Sequence, residues 1–263
     1  MKIAFIGGGT MGGAMIRCLL SKKVAAPEDI IVSDVSQSRR DSIKRECGVK
    51  ALVNNKEAIK DADLVILAVK PQELLQVMEG IKDPAPQQVI LSIVAGASLD
   101  TLCRGLNHHC IIRAMPNMPV QIGEGMIVWT TTNEVSQEQK GMAQSILDTL
   151  GEELYVEDEK YLDMATALSG SGPAYVFLFI EVLIDAGVHI GLPRSVARKL
   201  VIQTVIGSSV AVREMGKHPA ELRSIVTSPG GTTTEALLQL ERGGFRSVLL
   251  EAVTAAYSKA KHL

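Results

Sequence analysis

Two stretches of this chain carry the residue types that bind small anions. The first is Gly7-Gly8-Gly9-Thr10-Met11-Gly12-Gly13, set between the apolar run Ile3-Ala4-Phe5-Ile6 and the helical run Ala14 to Leu20. Its G-x-G-x-x-G spacing suits a diphosphate: Gly7 permits a tight turn, Gly9 lets the backbone approach the ligand, and Gly12 lets a helix pack against a strand. The N-terminus of that helix would then face the phosphates. Ile6, Gly7, Gly8, Gly9, Thr10, Met11 and Gly12 are therefore candidate dinucleotide contacts. The second stretch, Ser228-Pro229-Gly230-Gly231-Thr232-Thr233-Thr234, opens the helical run Glu235 to Leu240. Two glycines and several hydroxyls at a helix start exceed what capping needs, and they suit a carboxylate. Ser228, Gly230, Gly231, Thr232 and Thr233 are the candidate substrate contacts. The two starts are expected to serve one cleft.

The elements that must position these groups follow from hydrophobic periodicity. Asp29 to Asp34 reads as a second strand, and Asp34 stands 27 residues after Gly7. An acid there can accept from ribose hydroxyls, as NAD requires, while Ser36, Ser38, Arg39 and Arg40 could hold the 2′-phosphate of NADP. The residues leave both open. A helix is predicted from Ser38 to Glu46. Gly48 to Leu52 is a short strand leading to Asn54-Asn55, and Asp63 to Val69 is a continuous apolar run of the kind central parallel strands show. Its end places Ala68, Val69, Lys70 and Pro71 along the cofactor, though an exposed lysine at a helix start fits Lys70 equally. Gln88 to Ile93 is the next strand, and the small residues Val94-Ala95-Gly96-Ala97 after it could admit the nicotinamide half. Ser98 starts a helix. Cys110 to Met115 is a sixth strand ending in Pro116-Asn117-Met118-Pro119. That stiff loop fits a contact to the cofactor's carboxamide or to substrate, with Met115, Pro116 and Asn117 as candidate cofactor contacts, and it also fits a plain rigid turn. Gly125 to Thr131 and Glu152 to Glu157 are two further strands around a helix from Ser136 to Leu150.

From Asp158 the strand signals stop and helices take over, so domains are expected at 1–157 and 158–263. Glu159 to Leu168 reads as one helix and Ser169-Gly170-Ser171-Gly172-Pro173 as a break. Ala174 to Gly187 and Leu192 to about Glu214 are helices, and Phe245 to Lys261 is the last. A helix as apolar as Ala174 to Gly187 needs protein around it, which predicts at least a dimer. Across the most apolar stretch, Ala174 to Ile190, Glu181, Asp185 and His189 argue against a membrane span.

Composition agrees with a small ligand. The 263 residues carry a net charge of -2 with 21% charged and 3% aromatic residues, which excludes a phosphate-backbone or single-strand nucleic-acid platform. Cys18, Cys47, Cys103 and Cys110 form no CxxC and no zinc spacing, so no metal is expected and the thiols read as reduced, in the cytoplasm. No signal peptide is evident at the N-terminus. The histidines, His108, His109, His189, His218 and His262, are scattered and read as surface residues.

Along its full length the chain resembles the pyrroline-5-carboxylate reductases. The resemblance rests on Phe5 to Gly12, Ala68-Val69-Lys70-Pro71, Arg113-Ala114-Met115-Pro116-Asn117, Ser169 to Tyr175, and Ser228-Pro229-Gly230-Gly231-Thr232-Thr233. It implies an α/β fold, a Rossmann-type dinucleotide-binding domain followed by an all-α dimerisation domain. It implies reduction of 1-pyrroline-5-carboxylate to L-proline with NADPH or NADH, the final step of proline biosynthesis, and intertwined dimers often grouped five to a ring. By the same similarity Thr233 would contact the ring nitrogen as the catalytic residue, Glu159 would lie beside the substrate, and Ser36 and Asn55 would touch the adenosine end of the cofactor. Ile225 stands where some members carry a cofactor-contacting asparagine, and Asp34 where some carry serine; both bear on the choice of nucleotide. The rivals are a β-hydroxyacid-type dehydrogenase and a non-catalytic NAD(P)-binding regulator. The first lacks its lysine on the helix from Pro173, and the second has no need of a carboxylate trap.

Overall fold

The computed structural model describes residues 1–262, and Leu263, the end of the expected second domain, lies outside them. Eight strands form one sheet: β1 (Ile3–Ile6), β2 (Ile30–Ser33), β3 (Lys50–Leu52), β4 (Leu64–Leu67), β5 (Val89–Ser92), β6 (Ile111–Met115), β7 (Gly125–Thr131) and β8 (Gly151–Tyr155). Their order is β3-β2-β1-β4-β5-β6-β7-β8. The first six run parallel, β7 is antiparallel to β6, and β8 is parallel to β7. The switch in order between β1 and β4 is where doubly wound sheets open for ligands.

The crossovers are α1 (Thr10–Ser21), α2 (Gln37–Cys47), α3 (Asn55–Ile59), α4 (Leu74–Gly80), α5 (Leu99–Leu106) and α6 (Gln137–Leu147). They cover both faces, so β1, β4 and β5 are buried throughout and read as unbroken apolar runs. Alternation divides the core: Ile3, Phe5, Leu64 and Ile66 fall on one face, and Ala4, Ile6, Val65 and Leu67 on the other. Serines cap α2, α5 and α6, each accepting a backbone N–H of the first turn.

The helical half comprises α7 (Lys160–Ala165), α8 (Gly172–His189), α9 (Arg194–Met215), α10 (Pro219–Ile225), α11 (Thr232–Arg242) and α12 (Phe245–Ala260). The expected break at Ser169 to Pro173 is instead a π turn over Thr166–Gly170, closed by the Ser171 N–H donating to the Thr166 carbonyl at 2.8 Å. Compact packing divides the chain after Ser171, with the residues from Ala256 onward rejoining the first unit, whereas the change in composition falls at Asp158.

The second unit, taken by itself, has almost no interior. Among its described residues only Ala197 is buried, where α9 meets Gly187 of α8. The stretches 160–189 and 194–215 are, by length and composition alone, apolar enough to cross a membrane.

Candidate active site

Strand register sets the site. Ile6 pairs with Ser33 and Leu67, and Leu67 with Ser92, which pairs with Arg113. The strands therefore end in one row, and the segments just past it, from Gly7, Asp34, Ala68, Ile93 and Ala114, share one edge of the sheet. Every expected cofactor segment of the first unit lies at or beside that edge.

The glycine turn is shaped as its spacing requires. Gly7 adopts φ +103°, and a Cβ there would stand 2.5 Å from the Ala68 carbonyl oxygen. A Cβ on Gly12 would collide with the Gly7 carbonyl. Gly9 differs: its Cβ position meets only the Arg39 guanidinium, 4.0 Å away, so the room beside it is open to a ligand. Gly9 is also the N-cap of α1 and offers no side-chain cap, which leaves the first-turn N–H groups of Thr10 and Met11 to an external acceptor. A dinucleotide fits this turn.

Around it, Asp34 is buried and its carboxylate accepts the Gly8 N–H at 2.9 Å. Ser36 caps α2, and Asn55, first residue of α3, is bonded through its side chain to the Ser33 hydroxyl. Ala68 and Val69 are half-buried, while Lys70 and Pro71 are exposed at the start of a 3-10 turn. Val94 is buried with its N–H on the Ser92 hydroxyl, Ala95 is half-buried and Gly96 exposed.

In the second unit, α11 repeats the device of α1. Its N-cap is Gly231, again with no side-chain cap, despite the serine and three threonines nearby. The Thr234 hydroxyl donates instead to the Ser228 carbonyl at 2.7 Å, and the Gly231 N–H to the same carbonyl at 3.0 Å. Gly230 sits at φ +68°, which closes the loop, and Thr233 is half-buried on the first turn. The loop thus builds itself around Ser228 and leaves the helix start uncapped, as a carboxylate would need.

Residues 159–263 match the family described as pyrroline-5-carboxylate reductase dimerisation, and residues 2–96 match NADP oxidoreductase coenzyme F420-dependent. The pyrroline-5-carboxylate reductase of Synechocystis sp. is 41% identical over 263 residues, covering 100% of this chain and 98% of the relative. The chain belongs to the pyrroline-5-carboxylate reductase family. Solved structures agree. The reductase of Coxiella burnetii superposes with a TM-score of 0.91 at 35% identity, covering 99% of this chain and 97% of that one. A Plasmodium falciparum pyrroline carboxylate reductase with NADP bound gives 0.92 at 32% identity, covering 100% and 97%.

The family's Arg113 to Asn117 motif has a role that sequence reading missed. Arg113 is buried at the middle of β6 and donates to Glu159 at 2.8 Å and to Asp163 at 3.0 Å. The same Glu159 oxygen accepts the Leu99 N–H at 2.7 Å, so the residue expected beside the substrate also ties the start of α5 to β6. The methyl of Met115 rests on Gly170. Asn117 donates to the Ser169 carbonyl at 3.0 Å and accepts the Met126 N–H at 2.9 Å, so both ends of its amide are engaged within the protein. Arginine inside an apolar strand was the available signal, because such a charge needs a partner.

Burial corrects the reading of one histidine and bears on the thiols. His108 is not a surface residue: it is buried, its Nε2 2.7 Å from the Gln88 carbonyl, in a polar knot where Gln88 donates to the Ile59 and Ala62 carbonyls. All four cysteines are unpaired, and burial pushes the thiols of Cys47, Cys103 and Cys110 up, away from the reactive thiolate. Among the described residues no three His, Cys, Asp or Glu side chains gather as metal ligands.

Proposed function

We propose that this chain reduces 1-pyrroline-5-carboxylate to L-proline with NADPH or NADH, the last step of proline biosynthesis. The observation that carries the reading is the pair of glycine N-caps without side-chain caps, at α1 and at α11, in a member of this family. A reduced nicotinamide supplies the hydride when bound; the chain supplies binding and orientation.

The first-turn N–H groups of α1 hold the diphosphate, while Ala68 to Pro71, Val94 to Gly96 and Met115 to Asn117 border the nicotinamide half. Asp34, Ser36 and Asn55 line the adenosine end. The uncapped start of α11, with Ser228, Gly230, Gly231 and Thr232, holds the carboxylate of the cyclic imine, and the Thr233 hydroxyl hydrogen-bonds its ring nitrogen. A cyclic imine is basic enough to arrive protonated, so its carbon accepts hydride without a protein acid. Glu159 stands beside the substrate with Oε1 held by Arg113. Fixing the carboxylate and the nitrogen together orients the ring, and that orientation is the chain's contribution to rate.

The chain is a dimer with a small-molecule substrate, and the dimers group into a decamer; the resemblance to the family supports the larger ring. The unpaired cysteines support the reducing cytoplasm. The decisive assay follows the loss of nicotinamide absorbance on adding 1-pyrroline-5-carboxylate, run in parallel with NADH and NADPH. Imine-dependent oxidation that forms proline is expected. Oxidation that ignores the imine overturns the reading.

A further inference from the structure

The carboxyl end of β2 holds more structure than ribose binding requires. The Asp34 side chain is 4% exposed and lies 3.7 Å from the Arg39 guanidinium. Its two oxygens are held by backbone donors from different loops, Oδ2 by the Gly8 N–H at 2.9 Å and Oδ1 by the Ser36 N–H at 2.8 Å. The Ser36 and Ser38 hydroxyls stand 2.9 Å apart at the start of α2. Arg40 turns away from this group, donating to the Asp34 carbonyl at 2.6 Å and to the Gln37 side chain.

We propose that Asp34 makes this chain select NADH over NADPH, and that one substitution at Asp34 uncovers an NADPH site already present beneath it. Two backbone anchors stop the carboxylate from swinging aside. Its remaining lone pairs can accept from ribose hydroxyls, whereas a 2′-phosphate would bring a second anion against an immobile first one. The Arg39 guanidinium faces the Asp34 carboxylate and is already matched by it, while that of Arg40 is taken up by the Asp34 carbonyl and Gln37. With Asp34 neutral, Arg39 would be left beside two serine hydroxyls at a helix N-terminus, which together form a phosphate-binding set.

The inference rests on the nucleotide-binding half of the proposed function and not on the imine. It is tested on the full chain without imine, by titrating NADH and NADPH and following nucleotide fluorescence. Three variants are compared with the unchanged protein: Asp34→Ser, Asp34→Asn, which keeps an acceptor for the Gly8 N–H, and Asp34→Ser with Arg39→Ala. The unchanged chain is expected to bind NADH about tenfold more tightly than NADPH, and both single variants to reverse that order, a change of about 100-fold in the ratio. Removing Arg39 from the serine variant should abolish the gain in NADPH affinity. NADPH binding as tight as NADH in the unchanged chain, or an unaltered ratio in a folded Asp34→Asn protein, overturns the proposal. Failure of the imine assay would leave these titrations intact, whereas absence of binding by either nucleotide would refute the site itself.

Discussion

Glycines 7, 9 and 12 stand in one turn yet are required for different reasons, and substitution should separate them. Gly7 and Gly12 have backbone atoms where a Cβ would go, so alanine at either displaces the protein itself. Gly12→Ala is expected to lose about 1–3 kcal/mol of stability, seen as a lower thermal midpoint before any ligand is added. Gly9→Val should melt as the unchanged chain does, because its side chain enters open room, and should bind neither nucleotide. A Gly9→Val protein that titrates normally would show that the diphosphate does not lie there. On α11 the corresponding test is Thr233→Ala. Loss of one hydrogen bond to a cationic nitrogen is expected to lower kcat by about 10- to 100-fold while nucleotide affinity stays within twofold. Unchanged steady-state kinetics would remove Thr233 from the site.

At the scale of elements, the end of β6 does most of the positioning. Arg113 and Met115 share one face of the strand and Asn117 continues the alternation, so three residues two apart hold α7 and the π turn behind it. The π turn leaves a particular debt. Pro173 has no N–H to give the Ser169 carbonyl, and the Asn117 amide donates to it instead. Asn117→Ala would strand that carbonyl and the Met126 N–H, at a cost of about 2 kcal/mol, which lowers Tm by about 4–8 °C. A calorimetric trace that does not move would show that water replaces the amide. These contacts also mark what the sequence could not display. The strands were legible because a sheet buried on both faces writes unbroken apolar runs at β1, β4 and β5, and the glycine turn because steric need fixes its spacing. Helices α3, α4 and α10 were not, since five to seven residues give too few turns for a periodicity. The π turn was invisible for another reason. Ser169-Gly170-Ser171-Gly172-Pro173 has the composition of a loop, and the partners that meet it at residues 115 and 117 lie some fifty positions earlier, beyond the reach of local periodicity.

For the whole molecule the governing fact is that a stretch of 84 residues, Gly172–Ala255, buries one alanine. Helices α8 and α12 leave Leu178 61% and Leu250 70% exposed, with Phe177, Val182, Val248 and Leu249 beside them. A surface of that kind in water is an unfinished core, and in this family the matching domain is described by its dimerisation. A second copy accounts for the two long apolar helices without a bilayer, and it makes folding of the helical half a bimolecular event. The thermal midpoint should therefore rise with protein concentration, as mass action requires when only the assembled form is stable. Leu178→Asp would set an unpaired charge in the joint. The expected penalty of about 3–5 kcal/mol corresponds to a dimer weaker by about two to four orders of magnitude, read by sedimentation velocity at micromolar protein. The same substitution should abolish turnover, since the proposed carboxylate site on α11 belongs to the unit that a second copy completes. Were Leu178→Asp to sediment as a dimer, or the unchanged chain to sediment as a folded, active monomer, those apolar faces would have to be covered by something other than a second copy.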